Sequence, residues 1–223
     1  MEGGAGADET IGCEGGWCGV TLRASHRSSG TVRVEGDAGV HTGAGMTGGE
    51  VIVTGNVGDW LGAEMHGGKI DVHGNAGHLV AAVYRGGIKG MTAGEILIDG
   101  NAGNEIGHSM RRGLIAVGGR AGDFAGVNMI AGTIFIGCET GNRYGAGMSR
   151  GSIVLLGADS PDMLPTFRFA CTYRPTFLSI YLRHLSAARW PVPPGSLESA
   201  YRRFLGDFLE LGKGEILTRV AAE

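Results

Sequence analysis

Side chains able to do chemistry are scattered through this chain, and their spacing decides what chemistry is open to them. Of seven histidines, five lie within the repeats, at 41, 66, 73, 78 and 108. They fall at different places in the repeat described below, whereas a metal site in a repetitive chain needs ligands at equal or adjacent places in successive repeats. Cys13, Cys18, Cys138 and Cys171 lack zinc-ligand spacing. Among the carboxylates, Asp59 and Asp123 share a place but stand three repeats apart, and Asp71 stands alone, so no acid and base are paired. Residues 43–48, Gly-Ala-Gly-Met-Thr-Gly, match a dinucleotide fingerprint, but no helix can follow them, which removes the phosphate-binding reading. The basic residues are distributed less evenly: Arg85, Lys89, Arg111, Arg112, Arg120, Arg143 and Arg150 crowd the middle and later repeats. Arg112 and Arg150 share one place two repeats apart, so one edge reads either as a basic strip for carboxylates or a polyanion or as an ordinary solvated surface. Arg85, Lys89, Arg111, Arg112 and Arg150 are the candidate contact residues.

The elements that would hold these residues come from a repeat. Gly30, Gly49, Gly68, Gly94, Gly113, Gly132 and Gly151 each open a unit, at steps of 19 residues in five cases and 26 in one. Nine places into each full unit is another glycine, at Gly39, Gly58, Gly77, Gly103, Gly122 and Gly141, and three residues before each new unit stands Met46, Met65, Met91, Met110, Met129 or Met148. Two and four places in lie valine, isoleucine or leucine, the alternation of a strand with one buried face. Glycine recurs too often for a helix of ten residues to fit. A period near 20 that survives an insertion marks stacked units. The fold predicted is mainly β, a right-handed parallel β-helix of about seven coils with Val/Ile and Met ladders inside. The methionines read as core packing, since thioethers without thiolates suit irregular interior space better than metal.

Net charge −3 and 43% hydrophobic content point to no bulk polyanionic partner and supply a sizeable core. No secretory signal pattern or membrane-length apolar run is visible, and the cysteine usage fits a reduced, cytoplasmic protein. Three segments are expected: a flexible leader over 1–19, the β-helix over 20–157 with a partial first strand at Val20, Thr21 and Leu22, and an aromatic, helical extension over 158–223. In the extension, a helix is predicted from Thr176 to about Leu185, and a second one from about Ser196, with Leu197, Tyr201, Phe204, Leu205, Phe208 and Leu211 on one face and Gly212 as its stop. Residues 82–90, the insertion in the third unit, read as a contact loop or a tolerated surface loop with equal weight. Three places into the later units stand Leu97, Ala116, Phe135 and Val154, an apolar exterior that either the C-terminal segment or a partner must cover.

The runs at 98–107 (Ile-Asp-Gly-Asn-Ala-Gly-Asn-Glu-Ile-Gly), 110–119 (Met-Arg-Arg-Gly-Leu-Ile-Ala-Val-Gly-Gly) and 121–126, with Leu-Pro-Thr-Phe at 164–167, resemble the C subunit of formylmethanofuran dehydrogenase. More narrowly, they are similar to the C subunit of the bacterial formyltransferase/hydrolase complex. The glycine lattice alone, of GXGXG type, is also shared with the C-terminal domain of the glutamate synthase large subunit. The resemblance implies a non-catalytic scaffold subunit in tetrahydromethanopterin-linked oxidation of formaldehyde to formate. It implies hydrolase-like A, B and formyltransferase-like D subunits as partners, with methanofuran or methylofuran and tetrahydromethanopterin as the carriers used by the complex. It also implies no cofactor on this chain, no catalytic or metal residues, no nucleic acid or membrane partner, and a longer leader than residues 1–19 present. A stand-alone β-helix enzyme, or a glutamate synthase-like structural domain, is the alternative.

Overall fold

Seven units with β-branched residues two and four places in produce seven strands that lie side by side. A computed structural model describes residues 29–157 and 162–220 and the backbone of Glu9–Gly12. In it, β1 (Glu9–Gly12), β2 (Thr31–Glu35), β3 (Thr47–Val53), β4 (His66–Val72), β5 (Ala93–Ile98), β6 (Leu114–Val117), β7 (Thr133–Ile136) and β8 (Arg150–Leu155) pair in chain order, each parallel to the next. The register matches equivalent places of successive units, as in Val32↔Val51↔Ile70↔Ile96↔Ile115↔Ile134↔Ile153. A one-residue slip would turn every inward side chain outward, so this register is strongly specified. A second ladder of parallel bridges runs Ala38↔Val57↔Ala76↔Ala102↔Ala121↔Thr140. β1 lies within the segment expected to be a flexible leader, while the strand expected at Val20, Thr21 and Leu22 falls outside the described residues.

Between the two ladders lies the main core. Its valines and isoleucines, with Met46, Met65, Met91, Met110, Met129 and Met148, are almost wholly buried. Glycine and methionine recur together for a steric reason. Gly113 (φ 112) opens its unit in a conformation that L side chains rarely adopt, and a Cβ there would sit 2.7 Å from the Cε of Met91, which precedes the opening glycine of the unit before. The same encroachment joins Gly68 to Met46, Gly94 to Met65, Gly132 to Met110 and Gly151 to Met129. Each thioether end thus fills the space left by the missing side chain at the second opening glycine after it.

The sheet does not stay parallel to its end. β8 pairs in parallel with β11 (Lys213–Arg219), which pairs antiparallel with β10 (Tyr201–Gly206), and β10 pairs antiparallel with β9 (Arg168–Tyr173). The result is one mixed sheet of 11 strands, ordered β1 to β8, then β11, β10 and β9. The one described helix is α1 (Thr176–Ala187). The second predicted helix does not form, because its residues make a turn, β10 and the turn that leads into β11. A bare row of N–H and C=O groups on β8 offers strand pairing, and Gly206, Gly212 and Gly214 disfavour a helix through the same stretch. α1 and the segment after it lie over the outer face of the later units. There Leu178, Leu182, Leu185, Trp190 and Leu217 form a second core with Leu97, Ala116, Phe135 and Val154. The chain's own C-terminal segment therefore covers the apolar exterior. Among the described residues, no helix is long and apolar enough to cross a membrane.

Candidate functional site

Asp59, His78 and Asp123 belong to turn ladders. Asp59 Oδ1 accepts the backbone N–H of His78 at 2.7 Å, and His78 Nδ1 accepts that of Asn104 at 2.9 Å. Asn104 Oδ1 then accepts from Asp123 N–H, and Asp123 Oδ1 from Asn142 N–H. A parallel series runs Asp37, Asn56, Asn75, Asn101, each side-chain oxygen capping the next unit's turn. Asp59 and Asp123 share a place because each supplies an acceptor to the turn above. The donated N–H identifies Nδ1 of His78 as the unprotonated ring nitrogen.

Other groups pair across the outer face. Asp71 lies 3.5 Å from Lys69, which also reaches Glu50 at 3.4 Å. Burial works against the Lys69 charge, but the carboxylates of Asp71, Glu50 and Glu95 outweigh it and hold its pKa above the ordinary lysine value. Burial raises the Asp71 pKa, more than its ammonium neighbour lowers it. His73 meets Asp99 at 2.9 Å, His108 meets Glu105 at 3.1 Å, and His184 of α1 meets Glu95 at 2.9 Å. Among the described residues, no group of three His, Cys, Asp or Glu side chains is arranged to hold a metal ion.

The insertion has a defined anchor. Tyr84 stacks on Trp60 with ring centroids 4.9 Å apart, and its hydroxyl lies 2.8 Å from His41 Nδ1. Its backbone N–H donates to Glu64 Oε1, and Gly87 N–H donates to the Tyr84 carbonyl, closing a turn. Beyond the turn, Ile88 and Lys89 are exposed, and Gly90 N–H bonds the Ser109 carbonyl, returning the chain to the stack. The route places Lys89 beside Arg111 and Arg112. These three and Thr92 line a depression of about 280 Å³. Thr92 Oγ1 is held 2.7 Å from His66 Nδ1 at its margin. None of the three cations takes part in the ion pairs found among the described residues. Arg85 is exposed on the loop and Arg150 opens β8 opposite Lys213, and neither lines the depression. Two guanidinium forks and an ammonium suit carboxylate or phosphate oxygens, in a setting where salt screens the attraction.

Sequence comparison supplies the frame for this surface. No protein-family model and no curated protein matches the chain. Among solved structures, it superposes with a TM-score of 0.85 and 33% sequence identity, covering 95% of this chain and 78% of the other, on a chain of the formyltransferase/hydrolase complex (FhcABCD) from Methylorubrum extorquens in complex with methylofuran. The chain belongs to the C-subunit family of formyltransferase/hydrolase complexes.

In this C-subunit family member, periodicity overlooks one rung and the loop anchor. Gly-Glu-Ile-Leu at 94–97 recurs unchanged at 214–217, where Ile216 enters the main core and Leu217 the second one. A Cβ on Gly214 would meet Met148 Cε at 2.8 Å, the same relation as in the earlier units. The repeated tetrapeptide was a readable signal, hidden by its distance from Gly151. The partnership of His41, Trp60 and Tyr84 had none, because Tyr84 is out of register with the other two.

Proposed function

We propose that this chain is the non-catalytic scaffold subunit of a formyltransferase/hydrolase complex acting in tetrahydromethanopterin-linked oxidation of formaldehyde to formate. On this reading its repeats form a right-handed parallel β-helix of about seven coils that holds hydrolase-like A, B and formyltransferase-like D subunits. The observation that carries the reading is the 33% identity maintained over 95% of the chain with a member of such a complex. The two parallel ladders bounding one core support the coil reading. The use of Asp59, His78 and Asp123 as turn acceptors supports a positional contribution, since those groups are committed to the stack.

The depression formed by Lys89, Arg111 and Arg112 is the contact we assign to the furan-type carrier of the complex, whose side chain in this family is rich in glutamate. Exposed ion pairs contribute about 0.2–1 kcal/mol each, so three cations acting on a polycarboxylate change affinity by roughly tenfold. The test is coexpression of the full chain with the A, B and D subunits, then kinetics with Lys89→Glu, Arg111→Glu and Arg112→Glu combined. The expected result is intact assembly, a KM for the furan carrier raised about tenfold, and a difference that shrinks with added salt. Unchanged kinetics in an intact complex would remove the carrier contact alone. Formyl transfer or hydrolysis by the purified single chain would overturn the scaffold reading.

A further inference from the structure

The sheet ends on β9, whose residues from Arg168 to Thr172 are exposed on both faces, with only Tyr173 half-buried. One side of β9 pairs with β10, and its other side faces no strand among the described residues. Edges of this kind are usually blunted by proline, lysine or a covering segment. β9, Arg-Phe-Ala-Cys-Thr-Tyr, contains neither residue, and its one charge, Arg168, lies over the ring of Phe208 at 5.2 Å.

An apolar patch adjoins this edge. Phe169 on β9 and Phe208, Leu209 and Leu211 in the β10–β11 turn are each half or more exposed. The turn is held firmly. Buried Asp207 accepts the N–H groups of Gly147 and Leu209 on its carboxylate and those of Glu210 and Gly212 on its carbonyl. Phe208 N–H also donates to the Thr166 carbonyl, tying the turn to the start of β9. These apolar side chains are therefore presented on a braced backbone. Beside them stand Arg168 and Arg202, neither in an ion pair among the described residues, and Arg202 lies over Phe169 and Phe204.

We propose that β9 is the docking edge for an extended, carboxylate-bearing segment of a partner subunit, which adds one strand to the sheet. Main-chain groups on alternate residues of β9 supply the hydrogen bonds, the Phe169–Phe208 patch receives apolar side chains, and the two arginines meet the carboxylates. A second copy of this chain is disfavoured, because its β9, Arg-Phe-Ala-Cys-Thr-Tyr, brings no carboxylate to meet these arginines. The inference rests on membership of a multi-subunit complex but concerns a surface remote from the cation depression.

Hydrogen exchange on the full chain, free and assembled with its A, B and D subunits, tests it. The outward amides of β9 should slow by about tenfold or more on assembly, and the free chain should be monomeric. The Arg168→Glu, Arg202→Glu double variant should lose subunit retention while keeping the thermal midpoint of the free wild-type chain. Equal exchange of β9 in free chain and complex overturns the proposal and leaves the scaffold reading intact. A free dimer with β9 already protected overturns it in favour of self-pairing. Failure of the wild-type chain to join those subunits overturns both readings.

Discussion

At the scale of single residues, the interior tolerates little change in polarity. Met110 has no exposed surface and its side chain ends where Gly132 leaves room. Met110→Asp would bury a carboxylate without a partner, a loss of several kcal/mol that approaches the whole stability of a typical domain. Met110→Leu should cost less than about 1.5 kcal/mol. Soluble expression and urea unfolding of the two variants separate these outcomes, and a well-folded aspartate variant would contradict the inward placement. Tyr201 gives a pH signature. Burial raises its phenol to about 12, against about 10 in an unfolded chain. The native state keeps a proton that the unfolded state loses, so this contribution to stability is complete below about pH 10 and disappears as pH rises to about 12. Tyr201→Phe also removes the 2.8 Å bond to the Ser196 carbonyl, at roughly 1 kcal/mol near neutrality. Urea midpoints from pH 8 to about 11.5 should therefore show the wild type falling more steeply than the variant. Parallel curves would refute the assignment. Tyr144, also raised to about 12, keeps part of the alkaline slope in both proteins.

At the scale of elements, α1 and the strands after it act as a cover. Leu178, Leu182 and Leu185 recur at helical spacing and meet Leu97, Ala116 and Phe135, register partners on successive strands that face outward between inward neighbours. Trp190 locks the far end, with its ring buried and its Nε1–H donated to the Ile98 carbonyl at 3.1 Å. Trp190→Ala should cost about 3–5 kcal/mol, and Trp190→Phe less, with the difference reporting the lost hydrogen bond. Denaturant unfolding followed by far-UV circular dichroism measures both. A loss below 1 kcal/mol for the alanine variant would mean that this end of the cover is loosely packed.

At the scale of the whole molecule, the stack and its cover depend on each other. β8 without β11 is an open edge, and Leu97, Ala116, Phe135 and Val154 without α1 form a continuous apolar face. A chain ending at residue 160 should therefore aggregate or form large oligomers, even though it retains every regular repeat. Size-exclusion chromatography with light scattering decides this. A soluble monomer of the truncated chain would show that the C-terminal segment is dispensable for covering the stack. The same organisation separates two surfaces of the intact chain. The cation depression lies where the third-unit insertion returns to the stack, while β9 closes the sheet at its opposite end from β1.

The sequence by itself determined the mainly β character, the strands β2 to β8, the place of the insertion and α1. All of these follow from local spacing: period two for strands, a step of 19 for stacking, and period 3.6 in residues 177–185. Tertiary structure decided matters between remote segments. Local pattern at 197–211 suits a helix, but the unpaired edge of β8 draws β11 into the next rung and β10 with it. The apolar exterior was legible, whereas its cover was not, because chain and partner both satisfied the same burial requirement. Asp59, His78 and Asp123 were visible as reactive types, yet their roles come from turn N–H groups one unit away in space and 19 or 26 residues away in sequence. The depression joins Lys89 to Arg111 and Arg112 because Tyr84, stacked on Trp60 of the second unit, sets the path of the loop. Periodicity encodes what each residue does to its neighbours along a strand, and closure of unsatisfied edges and faces determines which distant segments meet.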